Sequence, residues 1–224
     1  MKSILTLSFM ILFLFFDKDI KKDVYPKGSI WAYENDSDLK KDPKAVKDKK
    51  IIDLGQKLSA IKEKDDSGKT YYQVQMPDNT KYWVNANDVT EKYITINSQD
   101  VVCYSQPDNS AGYLNSFKLQ PGDFGYYIKE QGGFVNVKIS NYLPPRGKDK
   151  DPIWVDNVWI NGGYTDDIKA AKEAYNLSIA YYYIYNKTPN LDTAKAYLKK
   201  AIEANGDDKT DIAAVAQQVL DGLK

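Results

Sequence analysis

Tyr71-Tyr72-Gln73-Val74-Gln75-Met76, Pro77-Asp78-Asn79-Thr80 and Lys81-Tyr82-Trp83-Val84 follow one another without interruption, and this stretch decides the fold. The first run is rich in aromatic and β-branched residues, the composition of a pleated, half-buried strand. Pro and Asn then supply the backbone angles of a tight turn, and the last run resumes the strand. The segment predicts a β-hairpin. Outward from it, residues 24–162 keep the same character, with recurring Val, Ile and Tyr and turn clusters at short intervals. Gly132-Gly133 turns the chain between Tyr126-Tyr127-Ile128 and Phe134–Ile139, and Ile153-Trp154-Val155 reads as the next strand.

The two parts of this β region resemble each other. Ser29–Tyr33 matches Asp100–Tyr104; Ile52-x-x-Gly55 with Ile61 matches Leu119-x-x-Gly122 with Ile128 at the same spacing; Val74 and Trp83-Val84-Asn85 find counterparts in Val137 and Trp154-Val155-Asp156. Each copy carries an insertion that reads as a solvated loop, Asn35–Lys50 in the first and Ser140–Lys150 in the second.

From residue 164 the apolar period changes from two to that of a helix. Thr165 with Asp166-Asp167 reads as a helix start, and Ile168, Ala171, Ala174, Leu177, Tyr181 and Ile184 form one face. Thr188-Pro189-Asn190 breaks the helix; Leu191, Ala194, Leu198 and Ala201 line a second; Gly206 ends it, and a third begins near Thr210.

Composition narrows the chemistry. The 224 residues hold no histidine, which removes Ser-His-Asp triads, Cys-His dyads and histidine zinc sites together. A single cysteine, Cys103, permits no internal disulfide and reads as a small core residue. Thirty-one basic residues balance 31 acidic ones, so the chain has no general attraction for nucleic acid. No phosphate-binding loop, dinucleotide fingerprint or EF-hand spacing occurs, and no cofactor or metal is expected. The expectation is a protein that is not an enzyme; a carboxylate-based glycan hydrolase is the one catalytic alternative.

Lys2 followed by the apolar run at 4–16 reads as an export segment. Thirteen helical residues reach only about 20 Å, short of a membrane core. Residues 1–20 are therefore assigned to a signal peptide or an uncleaved anchor, and the protein to the periplasm or cell envelope. Membrane contact is expected only through that segment.

The paired repeat, with its Leu-x-x-Gly step and its closing Trp-Val turn, resembles bacterial SH3-like domains. Tyr82 and Ile153 stand where that family usually has Gly before the Trp. The first two helices resemble a tetratricopeptide unit, with small residues at Ala174, Ser178, Ala194 and Ala201 and a longer turn. These resemblances imply a multidomain, β-then-α chain: an SH3-like barrel at 24–96, a second at 97–162, and a short antiparallel domain of about three helices at 164–224. They also imply an extracytoplasmic binding protein that recognises a cell-wall peptide or another envelope protein. The alternative is a structural subunit or scaffold of an envelope assembly docking through the helices. SH3-type ligand grooves lie between a long insert loop and the hairpin loops. Carried onto this chain, that position implies Tyr33, Tyr72 and Trp83 in the first copy and Tyr104, Tyr127, Phe134 and Trp154 in the second as ligand-binding residues.

Overall fold

The computed structural model describes residues 17–110, 113–139, 143–144, 155, 157–204, 206 and 210–223. The chain is β first and α last. Among the described residues fourteen strands form two antiparallel sheets of seven, and three helices follow.

The first sheet comprises β1 (Lys18–Pro26), β2 (Ile30–Tyr33), β3 (Lys49–Ile52), β4 (Leu58–Asp66), β5 (Lys69–Gln75), β6 (Lys81–Asn85) and β7 (Val89–Thr90), in the order β3-β2-β6-β5-β4-β1-β7. The second comprises β8 (Tyr93–Ile96), β9 (Val101–Tyr104), β10 (Tyr113–Leu119), β11 (Phe124–Gln131), β12 (Phe134–Ile139), β13 (Val158–Ile160) and β14 (Tyr164–Thr165). Its order, β10-β9-β13-β12-β11-β8-β14, is the first with seven added to every label. The expected hairpin is β5–β6, with Gln73 opposite Trp83 and Val74 opposite Tyr82.

The repeat extends to details of register. The β4–β5 ladder slips at Ala60/Lys62, and β11–β12 slips at Tyr127/Lys129, so Ile61 and Ile128 occupy equivalent bulges. Gly55 and Gly122 both hold φ near +85°, a backbone region open to glycine at little cost (φ +83° and +88°). One correspondence needs correction. Trp83 pairs with Tyr33, and the residue pairing with Tyr104 is Trp159. The second copy of Trp83-Val84-Asn85 is therefore Trp159-Ile160-Asn161, five residues beyond the Trp154 motif. Trp154 itself, like residues 1–16 and most of the 140–150 insertion, lies outside the described residues.

Each sheet encloses its own apolar cluster. Val24, Ile30, Ile52, Leu58, Val74 and Val84 fill the first; Ile94, Ile96, Leu119, Val137, Val158 and Ile160 fill the second, with Cys103 buried among them. The helices are α1 (Ile168–Tyr185), α2 (Leu191–Glu203) and α3 (Asp211–Gly222). The α1 cap is Asp167, whose carboxylate accepts from the amides of Lys169 and Ala170, two residues beyond the Thr165 expected from the sequence. Asn190 and Thr210 cap α2 and α3. The small residues Ala174, Ala194 and Ala201 are fully buried, letting the backbones of α1 and α2 approach closely.

The helices rest on an aromatic platform. Tyr93, Phe124 and Tyr126 of the second sheet share one cluster with Ala171, Ala174 and Leu177 of α1, and Tyr25 and Leu54 of the first sheet join it. Ring centroids lie 5.6 Å apart for Tyr25–Tyr93, 5.8 Å for Tyr93–Phe124 and 5.7 Å for Phe124–Tyr175, within the favourable range for aromatic pairs. The Tyr93 hydroxyl donates to Pro26 O (2.6 Å) and accepts from Gly55 N (3.0 Å). Tyr126 Oη donates to Lys27 O. Burial raises the Tyr93 pKa far above the usual phenol value, so it stays a donor. By register the first-sheet counterparts of Tyr93, Phe124 and Tyr126 are Asp23, Lys57 and Ser59, and there Lys57 and Asp23 form a surface ion pair at 2.8 Å. The same face is thus wet in one copy and covered by helices in the other.

Candidate functional site

A groove of about 450 Å³ lies on the first sheet. One wall is the insertion between β2 and β3, which folds into two short 3₁₀ turns, Asp36–Lys40 and Pro43–Ala45. The other is the β4–β5 turn at Asp66, Ser67 and Lys69. Trp31, Tyr33, Tyr71, Asn85 and Asp88 complete the lining.

Strand alternation explains why Trp31 reaches this groove. Ile30 and Ala32 point into the sheet's core, so Trp31 between them faces outward, and it stays 41% exposed. The Lys49 ammonium lies 4.6 Å from its ring centroid. Tyr33 (8% exposed) and Tyr71 (6%) are mostly buried, and neither hydroxyl makes a hydrogen bond with any described residue. Burial raises the Tyr33 pKa, with the carboxylates of Asp88, Asp42 and Asp38 adding to it.

The insertion is tethered to the sheet, so the groove is pre-shaped. Lys64 bonds Asp36 at 2.6 Å, Lys40 reaches across to Asp66 at 2.8 Å, and Lys49 Nζ donates to Pro43 O. Hydrogen bonds from Lys64 and Lys40 lower the pKa values of Asp36 and Asp66. Each exposed pair contributes little stability, but three anchors on one loop limit its freedom. Asp88 differs from the other acids: it has no ion pair among the described residues, and desolvation raises its pKa against the pull of Lys27. Lys27 instead donates to Asn87 O at 2.9 Å.

Of the residues expected to bind ligand, Tyr33 lines this groove. Trp83, its ladder partner, is buried and does not. Tyr72 and Tyr127 are brought together in a recess of about 140 Å³ between the two sheets, each under a lysine, Lys22 at 4.5 Å and Lys92 at 5.4 Å from the ring centroids. Tyr104 and Phe134 pack edge to face at 5.3 Å, and by register they are the counterparts of Tyr33 and Tyr71. Sequence reasoning missed Trp31, Tyr71 and Asp88. The alternation Ile30-Trp31-Ala32 carried the signal for Trp31; no local pattern marks Asp88.

The second copy lacks this equipment. Val102 stands at the position of Trp31 and Phe134 at that of Tyr71. The backbone bond Lys27 N–H to Asp88 O is repeated as Asn97 N–H to Gly163 O, which puts Gly163 where the first copy has Asp88. Among the described residues no group of three or more Cys, Asp or Glu is arranged to hold a metal. Nor is any helix among them long and apolar enough to cross a membrane.

No protein-family model matches the chain, and no curated protein does. Among solved structures it is similar to NlpC2 from Trichomonas vaginalis, at 9% sequence identity and a TM-score of 0.27. That likeness covers 73% of this chain and 55% of the other, so the chain spans about half the length of that protein.

Proposed function

We propose that the chain is a non-enzymatic binding protein acting outside the cytoplasm, built from two SH3-like barrels and a tetratricopeptide-like helical segment. In this reading the first barrel binds an extended peptide, from the cell wall or from an envelope protein. The observation that carries it is the groove over Trp31: about 450 Å³, within the range of ligand sites, with an exposed tryptophan and a tethered wall. Rigid aromatic side chains give contact area at small entropic cost. The repeated strand order supports reading each sheet as one barrel.

The test is co-sedimentation with purified peptidoglycan, beside a pull-down from envelope extract. Trp31→Ala is expected to reduce recovery at least tenfold in whichever assay the native chain is retained, while leaving the circular dichroism unchanged. A native chain that stays in the supernatant at high concentration and captures nothing refutes the reading. Docking through the helices draws less support, because their inward face already rests on Tyr93, Phe124 and Tyr126. Tyr185 and Leu191, exposed at the α1–α2 turn, are the residues whose replacement by Ala tests it.

A further inference from the structure

We infer that the ligand of the Trp31 groove is a short peptide with two charged ends, which presents an ammonium group to Asp88 and a carboxylate to Lys69. This rests on the peptide-binding reading above. Three observations lead to it.

The first is the polar floor. Tyr33 and Tyr71 are each more than nine-tenths buried, line the groove, and leave their hydroxyls without a partner among the described residues. Neither hydroxyl oxygen is sealed from solvent, so both are open to hydrogen-bond with a polar ligand that enters the groove.

The second is the charge balance. Lys40 is tied to Asp66 and Lys41 to Asp38, which cancels four of the charges around the groove. Among the lining residues Asp88 and Lys69 are left, one of each sign, with no ion pair to any described residue. A purely cationic ligand would meet Lys69, and a purely anionic one Asp88. A ligand with both signs satisfies both, and the rings of Tyr33 and Tyr71 favour an ammonium close to Asp88.

The third is an internal control. The second copy reproduces the scaffold but has Val102, Phe134 and Gly163 where the first has Trp31, Tyr71 and Asp88. The strand order does not need these three side chains, so their presence in one copy calls for another reason.

The experiment uses the full chain, fluorescently labelled, on an array of hexapeptides attached through a central side chain. Each peptide is printed in four forms: both ends free, amine acetylated, carboxylate amidated, and both blocked. Acetylation and amidation are each expected to reduce retention about tenfold, the effect of losing one charge-assisted hydrogen bond. Asp88→Asn is expected to remove the sensitivity to acetylation and keep that to amidation; Lys69→Gln is expected to do the reverse. Both are exposed positions, and circular dichroism verifies the fold. Equal retention of all four forms, still abolished by Trp31→Ala, overturns the charge inference and leaves the groove reading intact. Retention of none of the peptides overturns both.

Discussion

Replacing Tyr93 by Phe removes one oxygen atom from the junction of the two sheets and the helices. That oxygen serves two backbone groups at once, accepting from Gly55 N–H at 3.0 Å and receiving the carbonyl of Pro26 as its own acceptor at 2.6 Å. Tyr93 is 1% exposed, so water does not replace it without the packing opening. Each stranded group costs about 1–3 kcal/mol, and Gly55 is only half-buried, which puts the loss at about 2–4 kcal/mol. For a chain of this size that corresponds to a fall in Tm of roughly 5–15 °C. The ring stays, so its contacts with Tyr25 and Phe124 at 5.6 and 5.8 Å are kept, and the change isolates the hydroxyl. Tyr25→Phe is the control, because the Tyr25 hydroxyl bonds no described residue, and it is expected to be nearly neutral. Urea and thermal unfolding measure the loss; hydrogen exchange at the Gly55 amide locates it. A Tyr93→Phe loss below about 0.5 kcal/mol, or unchanged protection of Gly55, would refute the claim that this hydroxyl joins the sheets.

Other outcomes follow from single residues. A β-carbon added at Gly125 would overlap Val137 Cγ1 and stand 2.8 Å from Lys138 O, so Gly125→Ala is expected to destabilise by about 1–3 kcal/mol in the same unfolding assay. Burial, reinforced by Asp167, raises the Glu173 carboxyl above its ordinary value of 4.5, although Thr210 pulls the other way. The folded chain therefore tolerates the ionised form poorly. The penalty is absent below the unfolded pKa and grows as pH rises through the higher folded one. Glu173→Gln should gain in Tm over the native chain at pH 8 and lose that advantage at pH 4; parallel pH profiles for the two would contradict it. Asp167→Ala removes the carboxylate that accepts from Lys169 N and Ala170 N, and a loss of about 1 kcal/mol is expected by thermal unfolding.

Local signals were legible in the sequence, and long-range ones were not. The Tyr71–Val84 hairpin, the Gly55 and Gly122 positions and the helical face through Ala174 and Leu177 each follow from neighbours a few residues apart. The correspondence of Trp83 failed because two Trp-apolar-polar triplets stand five residues apart, at Trp154 and Trp159, and only ladder pairing with Tyr104 distinguishes them. At the candidate site, Tyr33 was accessible to sequence reasoning. Asp88 was not, because what sets it apart is the lack of an ion pair with any described residue, a property of three-dimensional neighbours. Part of the aromatic surplus builds the buried junction of Tyr25, Tyr93, Phe124, Tyr126 and Tyr175, where the Tyr93–Pro26 bond joins residues 67 apart in sequence.

The contrast between Asp23-Lys57 and Tyr93-Phe124 has a consequence for how the chain comes into being. Polypeptides are made from the N-terminus, and domains fold as they emerge. The first sheet emerges with the exposed Lys57–Asp23 ion pair at the position of that aromatic face. On the second, the matching face carries Tyr93, Phe124 and Tyr126, which Tyr25 and Leu54 of the first sheet cover only in part until α1, beginning at residue 168, has been synthesised. The hazardous interval in the biogenesis of this protein is therefore late and brief, and it closes only when the last quarter of the chain arrives.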